Sequence, residues 1–209
     1  MPDFPTQVDR LVELGYPRLA RRSEQQLRAL LAPLAPVADT LAAQTHGALP
    51  FVLVVTRALV DPYESVPLLR LPGSDPPGVV DRHHAPGDLA TYHPLEMLAV
   101  PRSPAYLLVD PDRGEELRGV PPEEALPVVT ARGRSPLTID EGIALVTQAP
   151  HLLEKNHCFM LSGSRRRDRR VPALWISGRA PKLGWCWDGN PYSWLGVASA
   201  ADRLAPAGS

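Results

Sequence analysis

The chain has 209 residues, of which 44% are hydrophobic and 22% are charged, and its formal net charge is -1. These values are ordinary for a globular protein, and a charge so close to zero gives no overall attraction to nucleic acid or to an acidic membrane. No apolar run approaches the roughly 18 residues of a membrane span, and the N-terminus lacks the features of a secretion signal, so we expect a cytoplasmic protein with no membrane partner.

Two further features of the composition bear on the fold. Lysine occurs only at positions 155 and 182, and arginine supplies the remaining basic residues, which together with 25 prolines is typical of a GC-rich bacterial genome. Each proline removes a backbone donor and restricts the residue before it, so long unbroken helices are not expected. The two cysteines, Cys158 and Cys186, are too few for a disulfide framework.

Residues 1–45 are predicted to form a helical N-terminal part. Thr6 has the residue type of a helix N-cap and is followed by apolar residues at helical spacing. Ser23 with Gln26 three residues later has the spacing of a capping box, in which each side chain bonds to the backbone N–H of the other residue. Pro33 should break or kink the helix that follows.

The middle of the chain is predicted to form strands and irregular structure in place of helices. The stretch "PFVLVVTRALV", residues 50–60, is rich in β-branched residues and predicts a buried strand. Residues 72–104 contain so many turn-forming residues that we predict an irregular, proline-rich loop region, and a loop of this length in a compact domain is either functional or mobile. "AYLLVDPDRG", residues 105–114, predicts a short strand that runs into a turn.

The C-terminal half combines one clear helix with a series of strands. Thr138 and Glu141 have capping-box spacing and should begin a helix that Pro150 ends. The runs "HCFMLSG", "VPALWIS" and "KLGWCW" are strand-like and separated by turn residues, which indicates an antiparallel meander. We therefore predict an α+β fold in one domain spanning residues 1–209, with N-terminal helices packed on a mixed, largely antiparallel sheet and a C-terminal β-meander.

The segment "GWCWDGNPYSW", residues 184–194, contains three of the four tryptophans. In a strand, Trp185 and Trp187 share one face because side chains alternate, and Asp188 and Asn190 lie in a tight turn before Trp194. The rings either fill the core or form an aromatic pocket of the kind that binds a sugar face or a cation.

The stretch "GSRRRDRR", residues 163–170, concentrates positive charge between two predicted strands. Arg165, Arg166 and Arg167 could grip a phosphate or a carboxylate-rich partner, because guanidinium groups present several donors in a planar fork. The same run could be a solvated hairpin loop. No aromatic residues are interleaved with the arginines, so base stacking is not indicated and nucleic acid is an unlikely partner.

Histidines and cysteines raise two further possibilities. His83, His84 and His93, with acidic residues nearby, are types that bind zinc or iron, but their spacing matches no metal signature, so we predict neither a metal site nor a cofactor. His157 and Cys158 are residue types that form catalytic pairs. Adjacent residues of a strand point to opposite faces, however, so these two side chains could not act on each other there. The motifs of phosphate-binding loops, dinucleotide-binding folds, α/β-hydrolases and zinc proteases are missing from the sequence.

Several longer strings also carry a family resemblance. With "YLLVDPDRGEE", "SPLTIDEGIAL", "NHCFMLSGSRRRDRRVPALWIS" and "PKLGWCWDGNPYSWLG", the chain resembles an actinobacterial family known only as a domain of unknown function. The likeness runs from "VDRLVELGYP" near the start through the tryptophan segment. It implies a bacterial, soluble, single-domain protein and brings no activity and no site residues with it.

The leading functional hypothesis is a protein that binds a small molecule or a protein partner through a surface of tryptophans and arginines. One alternative is an enzyme of hydrolase type that uses His157, Cys158, Asp188 and the loop histidines. Another is a structural or assembly role. Sequence patterns favour no particular ligand and no oligomeric state. The first hypothesis requires that the C-terminal indole rings be accessible to solvent.

Overall fold

The computed structural model describes residues 2–44 and 49–206. The α-helices of this part of the chain are α1 (Phe4–Glu13), α2 (Tyr16–Leu19), α3 (Glu24–Leu31), α4 (Ala35–Gln44), α5 (Pro62–Ser65), α6 (Pro122–Ala131) and α7 (Ile139–Gln148). Its strands are β1 (Phe51–Val55), β2 (Val79–Val80), β3 (His93–Pro94), β4 (Ala105–Val109), β5 (Ser135–Pro136), β6 (Cys158–Met160), β7 (Ser164–Arg165), β8 (Arg170–Ser177), β9 (Ala180–Trp187), β10 (Leu195–Val197), β11 (Ser199–Ala200) and β12 (Asp202–Leu204). These elements confirm the predicted α+β class.

The first helix begins earlier than the sequence predicts. Asp3, and not Thr6, is the N-cap of α1, and its carboxylate accepts a hydrogen bond from the Thr6 N–H at 2.9 Å. Pro5 then lies in the first helical turn, where a missing N–H costs nothing because that donor has no partner within the helix. Residues 1 and 45 of the predicted helical part lie outside the described residues.

The capping box of the third helix is confirmed. The Ser23 hydroxyl accepts from the Gln26 N–H at 3.1 Å, and the Gln26 amide oxygen accepts from the Ser23 N–H at 2.8 Å. Pro33 interrupts the helix as predicted, because α3 ends at Leu31 and one turn of 3-10 helix precedes α4. The N-terminal residues thus form a layer of short helices.

This helical layer covers one face of a three-stranded sheet. The strands lie in the order β1, β4, β12 and all neighbours are antiparallel. Phe51 and Leu53 of β1 pack among the apolar residues of the N-terminal helices, whereas Val52 and Val54 face a second core that contains α7. Both faces of β1 are buried, which explains its continuous apolar sequence.

A buried side chain completes the open edge of β1. Gln7 on α1 has no exposed surface, its side-chain oxygen accepts from the Leu53 N–H at 2.8 Å, and its amide nitrogen donates to the Phe51 carbonyl at 3.3 Å. Gln7 therefore satisfies backbone groups that an edge strand would otherwise leave unpaired in the core.

A five-stranded sheet forms the C-terminal half, in the order β10, β6, β8, β9, β2. Its centre is the predicted meander, because β6 pairs with β8 and β8 with β9 in antiparallel fashion. The two outer strands run parallel to their neighbours, so the sheet is mixed. The arginine-rich stretch connects β7 to β8, and the tryptophan segment includes the end of β9.

The proline-rich region, residues 72–104, is less irregular than its sequence suggests. It contributes β2, which extends the five-stranded sheet beside β9, and β3, which pairs with β7 at the start of the arginine-rich stretch. Its turns still follow the proline and glycine pattern, but the two short pairings tie the segment to the site residues described below.

A buried ion pair connects α7 to the last strand. The predicted capping box is confirmed, since Glu141 accepts from the Thr138 N–H at 2.7 Å while Thr138 accepts from the Glu141 N–H. The same carboxylate accepts from the Tyr106 hydroxyl at 2.6 Å and from the Arg203 guanidinium, whose Nη2 lies 3.0 Å from Oε2. The Glu141 side chain has no exposed surface and that of Arg203 is 4% exposed.

Candidate functional site

The arginine loop, residues 163–170, holds its first arginine in a partly buried ion pair. Nη2 of Arg165 donates to the Asp188 carboxylate at 3.0 Å, and Asp188 follows β9 directly. Burial lowers the pKa of Arg165, while the charge of Asp188 acts in the opposite direction. Two residues that the sequence placed in separate motifs are therefore in direct contact.

Two further arginines share two carboxylates. Arg166 lies 3.3 Å from Asp88 and 3.1 Å from Asp168, and Arg170 lies 3.8 Å and 3.4 Å from the same two residues. The Arg166 guanidinium also lies over the Tyr92 ring, 5.6 Å from its centroid. Because Asp88 and Tyr92 belong to the proline-rich region, that region and the arginine loop are held together by charge and by ring contact.

Arg167 differs from its neighbours because it is exposed and has no ion pair or hydrogen bond to any described residue. It lines a cleft of about 680 Å³ between the arginine loop and the proline-rich region, which we call the arginine cleft. Its lining residues are Ala90, Thr91, His93, Pro94, Leu95, Glu96, Arg165, Arg166 and Arg167. The cleft thus combines an apolar floor with three guanidinium groups.

A second cleft, of about 730 Å³, adjoins the first along residues 90–96, since the two share five lining residues. Arg57 in this neighbouring cleft donates to both oxygens of Asp140 and to the carbonyls of Leu89 and Tyr92 at 3.1 Å each. These bonds fix the backbone that forms the wall between the two clefts. The wall is therefore a supported part of the fold and not a free loop.

Unpaired buried polar atoms are concentrated at this junction. Among the described residues, eight buried side-chain nitrogen and oxygen atoms lack a hydrogen-bond partner, and six of them belong to His84, Tyr92, Arg165, Arg166 and Arg170. Two of the six, on Arg166 and Arg170, lie within ion-pair distance of a carboxylate without hydrogen-bond geometry. Buried polar groups are normally satisfied, so this concentration marks the region as chemically unusual.

Burial also shifts the titration of two rings at the junction. It raises the pKa of Tyr92 to about 12, although the adjacent Arg166 acts to lower it. Burial lowers the pKa of His84, whose ring packs edge-on against Tyr92 at 5.8 Å. The Gly184 carbonyl and the charges of Asp88 and Asp81 act the other way on His84, and Arg170 adds to the lowering.

The tryptophans divide into two groups. Trp185 and Trp187 share one face of β9 and contact each other edge-on, with ring centroids 4.9 Å apart. Trp194 packs instead against Trp175, at 6.0 Å, and against Tyr192, at 6.1 Å. The predicted pocket of three indoles around one turn is thus split, because the fourth tryptophan, on β8, pairs with Trp194.

The first of these groups is accessible to solvent. Trp187 is 44% exposed, and Trp185 is partly exposed with the Arg170 guanidinium 4.7 Å from its ring centroid. Trp187 borders a depression of about 600 Å³ that we call the indole depression. Its lining residues are Glu123, Asp168, Arg169, Trp187, Gly189 and Asn190. The arginine loop and an exposed indole therefore line one concavity.

The residues of the hydrolase alternative have separate partners. Nδ1 of His157 lies 2.8 Å from the Glu115 carboxylate, while the Cys158 thiol points to the Glu154 carbonyl at 3.2 Å. Burial raises the pKa of Cys158, which disfavours the reactive thiolate. Asp188 is engaged by Arg165. The structure does not bring these three groups together as a nucleophile, base and orienting acid.

The loop histidines are also dispersed. His83 bonds to the buried carboxylate of Asp81 at 2.5 Å, His84 is buried against Tyr92, and His93 is exposed in the arginine cleft. Within residues 2–44 and 49–206, no group of three or more histidine, cysteine, aspartate or glutamate side chains is arranged to hold a metal ion.

Sequence reasoning missed the half of the site that the proline-rich region supplies. Asp88, Tyr92 and Leu95 were not distinguished by any motif, and Glu96 was considered only as a metal-binding type. The position of His93 opposite Arg165 depends on a two-residue strand pairing. The available signal was the length of the segment, since long ordered loops in compact proteins are often functional.

The fold and the site define an α+β protein with adjoining clefts between an arginine loop and a proline-rich region. The chain belongs to a family of unknown function, DUF5701, whose model matches residues 10–206. No match was found among curated proteins or among solved structures. None of the helices in the described residues has the length and apolar character that crossing a membrane requires.

Proposed function

We propose that this protein binds a small organic anion in the arginine cleft. The observation that carries the proposal is the state of Arg167, an exposed guanidinium that lines the cleft and has no ion pair among the described residues. Guanidinium groups bind carboxylates and phosphates with charge-assisted, often bidentate hydrogen bonds.

The other two arginines of the cleft support this chemistry. Arg165 uses Nη2 for Asp188, but its Nη1 has no acceptor in the described part of the chain. A buried donor without an acceptor costs free energy, so an anion that satisfied it would gain from the exchange. Arg165 is itself one of the residues that line the cleft, so this donor belongs to a side chain that a bound ligand would contact.

The floor of the cleft indicates the rest of the ligand. Ala90, Pro94 and Leu95 are apolar, and the cleft volume of about 680 Å³ lies in the range of small-molecule sites. A ligand with a flat or compact apolar body and one phosphate or carboxylate group matches this combination. Inorganic phosphate alone would leave the apolar floor unused.

Isothermal titration calorimetry with phenyl phosphate tests the proposal, with benzyl alcohol as the uncharged counterpart. We expect phenyl phosphate to bind and benzyl alcohol to bind much more weakly. The Arg167→Ala variant should bind phenyl phosphate about tenfold more weakly, because one charge-assisted hydrogen bond is worth roughly 1.5–3 kcal/mol. Arg22→Ala serves as the matched control. It removes an exposed arginine of the helical layer that has no ion pair within residues 2–44 and 49–206 and lies far from the cleft in sequence.

Two results would overturn the proposal. One is that phenyl phosphate, phenylpropionate and adenosine monophosphate all fail to bind the unmodified protein. The other is that Arg167→Ala binds them as tightly as Arg22→Ala does. Because Arg167 is exposed and has no partner in the part of the chain that the structure describes, its removal should not unfold the protein, and a thermal melt of the variant verifies this.

The actinobacterial source and the cytoplasmic location that the sequence implies belong to this proposal. The cytoplasmic location agrees with the free, buried thiols of Cys158 and Cys186. It also agrees with a ligand drawn from the phosphorylated and carboxylated metabolites that a bacterial cytoplasm contains. A protein partner, the other candidate, would have to bury the same arginines.

A further inference from the structure

We infer a second ligand site, separate from the arginine cleft, in which the indole depression binds an uncharged saccharide. The inference stands on Trp187 and its neighbours and does not depend on the anion site. Trp187 is 44% exposed, and no other tryptophan, tyrosine or phenylalanine among the described residues is exposed.

A contact with a neighbouring ring supports the Trp187 indole on one side. Trp187 packs edge-on against Trp185, at 4.9 Å between centroids, and Trp185 is in turn covered by the Arg170 guanidinium at 4.7 Å. The Trp187 backbone N–H donates to the Tyr192 hydroxyl at 3.2 Å. An indole held in one orientation offers a flat apolar surface that loses little entropy when a ligand stacks on it.

The groups around the ring are those that bind sugar hydroxyls. Asn190 makes no side-chain hydrogen bond to any residue that the structure describes, so both its amide oxygen and its nitrogen are available. Glu123 uses Oε2 for Arg169, and its other oxygen faces Gly189. An amide, a carboxylate and a guanidinium beside a stacking ring combine apolar contact with several fixed polar groups.

Glycine at position 189 keeps the depression open. A Cβ there would lie 2.9 Å from the Glu123 Oε1 and 3.0 Å from the Arg169 Nη2, so a larger residue would displace the very groups that line the floor. The turn that carries Gly189 thus makes room for a ligand between Trp187 and the Glu123–Arg169 pair.

The charges around the indole depression favour an uncharged ligand over a cation. Glu123 pairs with Arg169, while Asp168 and Asp88 together pair with Arg166 and Arg170, so three carboxylates balance three guanidinium groups and no excess of either sign remains. A cation would compete with Arg169 for Glu123, and the face of Trp185 is already occupied by Arg170. An uncharged ligand with an apolar ring face and many hydroxyls avoids both conflicts.

Saturation-transfer NMR with chitohexaose, cellohexaose, maltohexaose and xylohexaose tests the site. We expect at least one of these sugars to receive saturation, and Trp187→Ala should weaken its binding at least about tenfold, as truncation of a central aromatic contact does. Trp187→Tyr should recover part of the affinity because a ring is restored. Asn190→Ala should weaken binding by a smaller factor.

The control is chosen so that the two sites can be told apart. Arg167→Ala should leave sugar binding unchanged, and Trp187→Ala should leave phenyl phosphate binding unchanged. The inference is wrong if none of the four sugars binds the unmodified protein, or if a bound sugar is held equally well by Trp187→Ala. Loss of sugar binding in Arg167→Ala would also contradict it, because the two sites would then be one.

Discussion

The most informative perturbation of the fold is the removal of the Arg203 charge. Arg203 donates to both oxygens of Glu141 and also to Ser135 and Pro136, and its side chain is 4% exposed. Arg203→Met keeps an apolar stem of similar length while it deletes the charge. Glu141, with no exposed surface, would then retain only neutral donors.

The expected cost follows from the burial of the partner that remains. Removing one member of a buried ion pair typically destabilises a protein by about 3–5 kcal/mol, because the other charge is left without compensation. Domains of ordinary stability unfold with about 5–15 kcal/mol, so the variant should lose a large part of its free energy of unfolding. Tyr106→Phe removes only the hydroxyl that donates to Glu141 and should cost roughly 1.5–3 kcal/mol.

Urea unfolding monitored by circular dichroism measures both effects. Glu141→Gln in the Arg203→Met background removes the uncompensated carboxylate charge and keeps the shape of the side chain. The double variant should therefore be more stable than Arg203→Met alone. Arg22→Ala provides a reference for the loss of an exposed arginine, expected within about 0.5 kcal/mol of the unmodified protein. Equal stabilities of Arg203→Met and Arg22→Ala would contradict this expectation, and so would a further loss of stability when Glu141→Gln is added to Arg203→Met.

Three further predictions concern pH, backbone packing and thiol reactivity. Burial holds the pKa of His84 in the folded protein below its usual 6.5, so His84 of the unfolded chain takes up a proton first as the pH falls. The free energy of unfolding should therefore decrease below about pH 6.5 and level off below the folded-state pKa. In His84→Phe this part of the decrease should be missing. Gly114→Ala should destabilise the protein by about 3 kcal/mol or more, because its Cβ would overlap the Val197 carbonyl at a positive φ of 72°. Cys186, whose pKa burial raises to about 12, should not react with a disulfide reagent at pH 8 until the protein is unfolded in urea.

Each of these has its own control. For His84, the pH dependence of His84→Phe is subtracted from that of the unmodified protein, and identical curves would contradict the prediction. Gly15 also has a positive φ, 87°, but open space around its Cα, so Gly15→Ala should cost only about 1–2 kcal/mol, and an equal cost at both glycines would be contrary to expectation. Fast labelling of Cys186 in the folded protein would show that the reagent reaches the thiol, contrary to the prediction.

Local signals in the sequence predicted much of the fold. Both capping boxes, at Ser23 and at Thr138, are present, because a box depends only on residues three positions apart. The strand centred on Leu53 and the meander from β6 to β9 follow from short-range patterns in the same way. The start of α1 was misplaced by three residues because Asp3 and Thr6 are both acceptable caps.

The candidate site was predicted only in part, and the reason is the distance along the chain between its halves. The arginines and Trp187 were recognisable as clusters, but Asp88 and Tyr92 meet them only through tertiary packing. Trp194 packs against Trp175 of β8, and the pattern of residues 184–194 alone could not predict this contact. Long-range pairing of this kind is set by the whole core and not by local propensity.

The position of β12 has a consequence for how the protein is made. This strand pairs with β4, which precedes it by nearly half the chain, and it carries the only guanidinium that bonds to Glu141 among the described residues. While the polypeptide is still being translated, the carboxylate of α7 therefore has no counter-charge and cannot be buried at low cost. We expect the nascent chain to remain loosely organised until β12 clears the ribosome tunnel. Folding would then be completed only after β12 has emerged, and chaperones would bind the apolar faces of β1 and β4 in the interval.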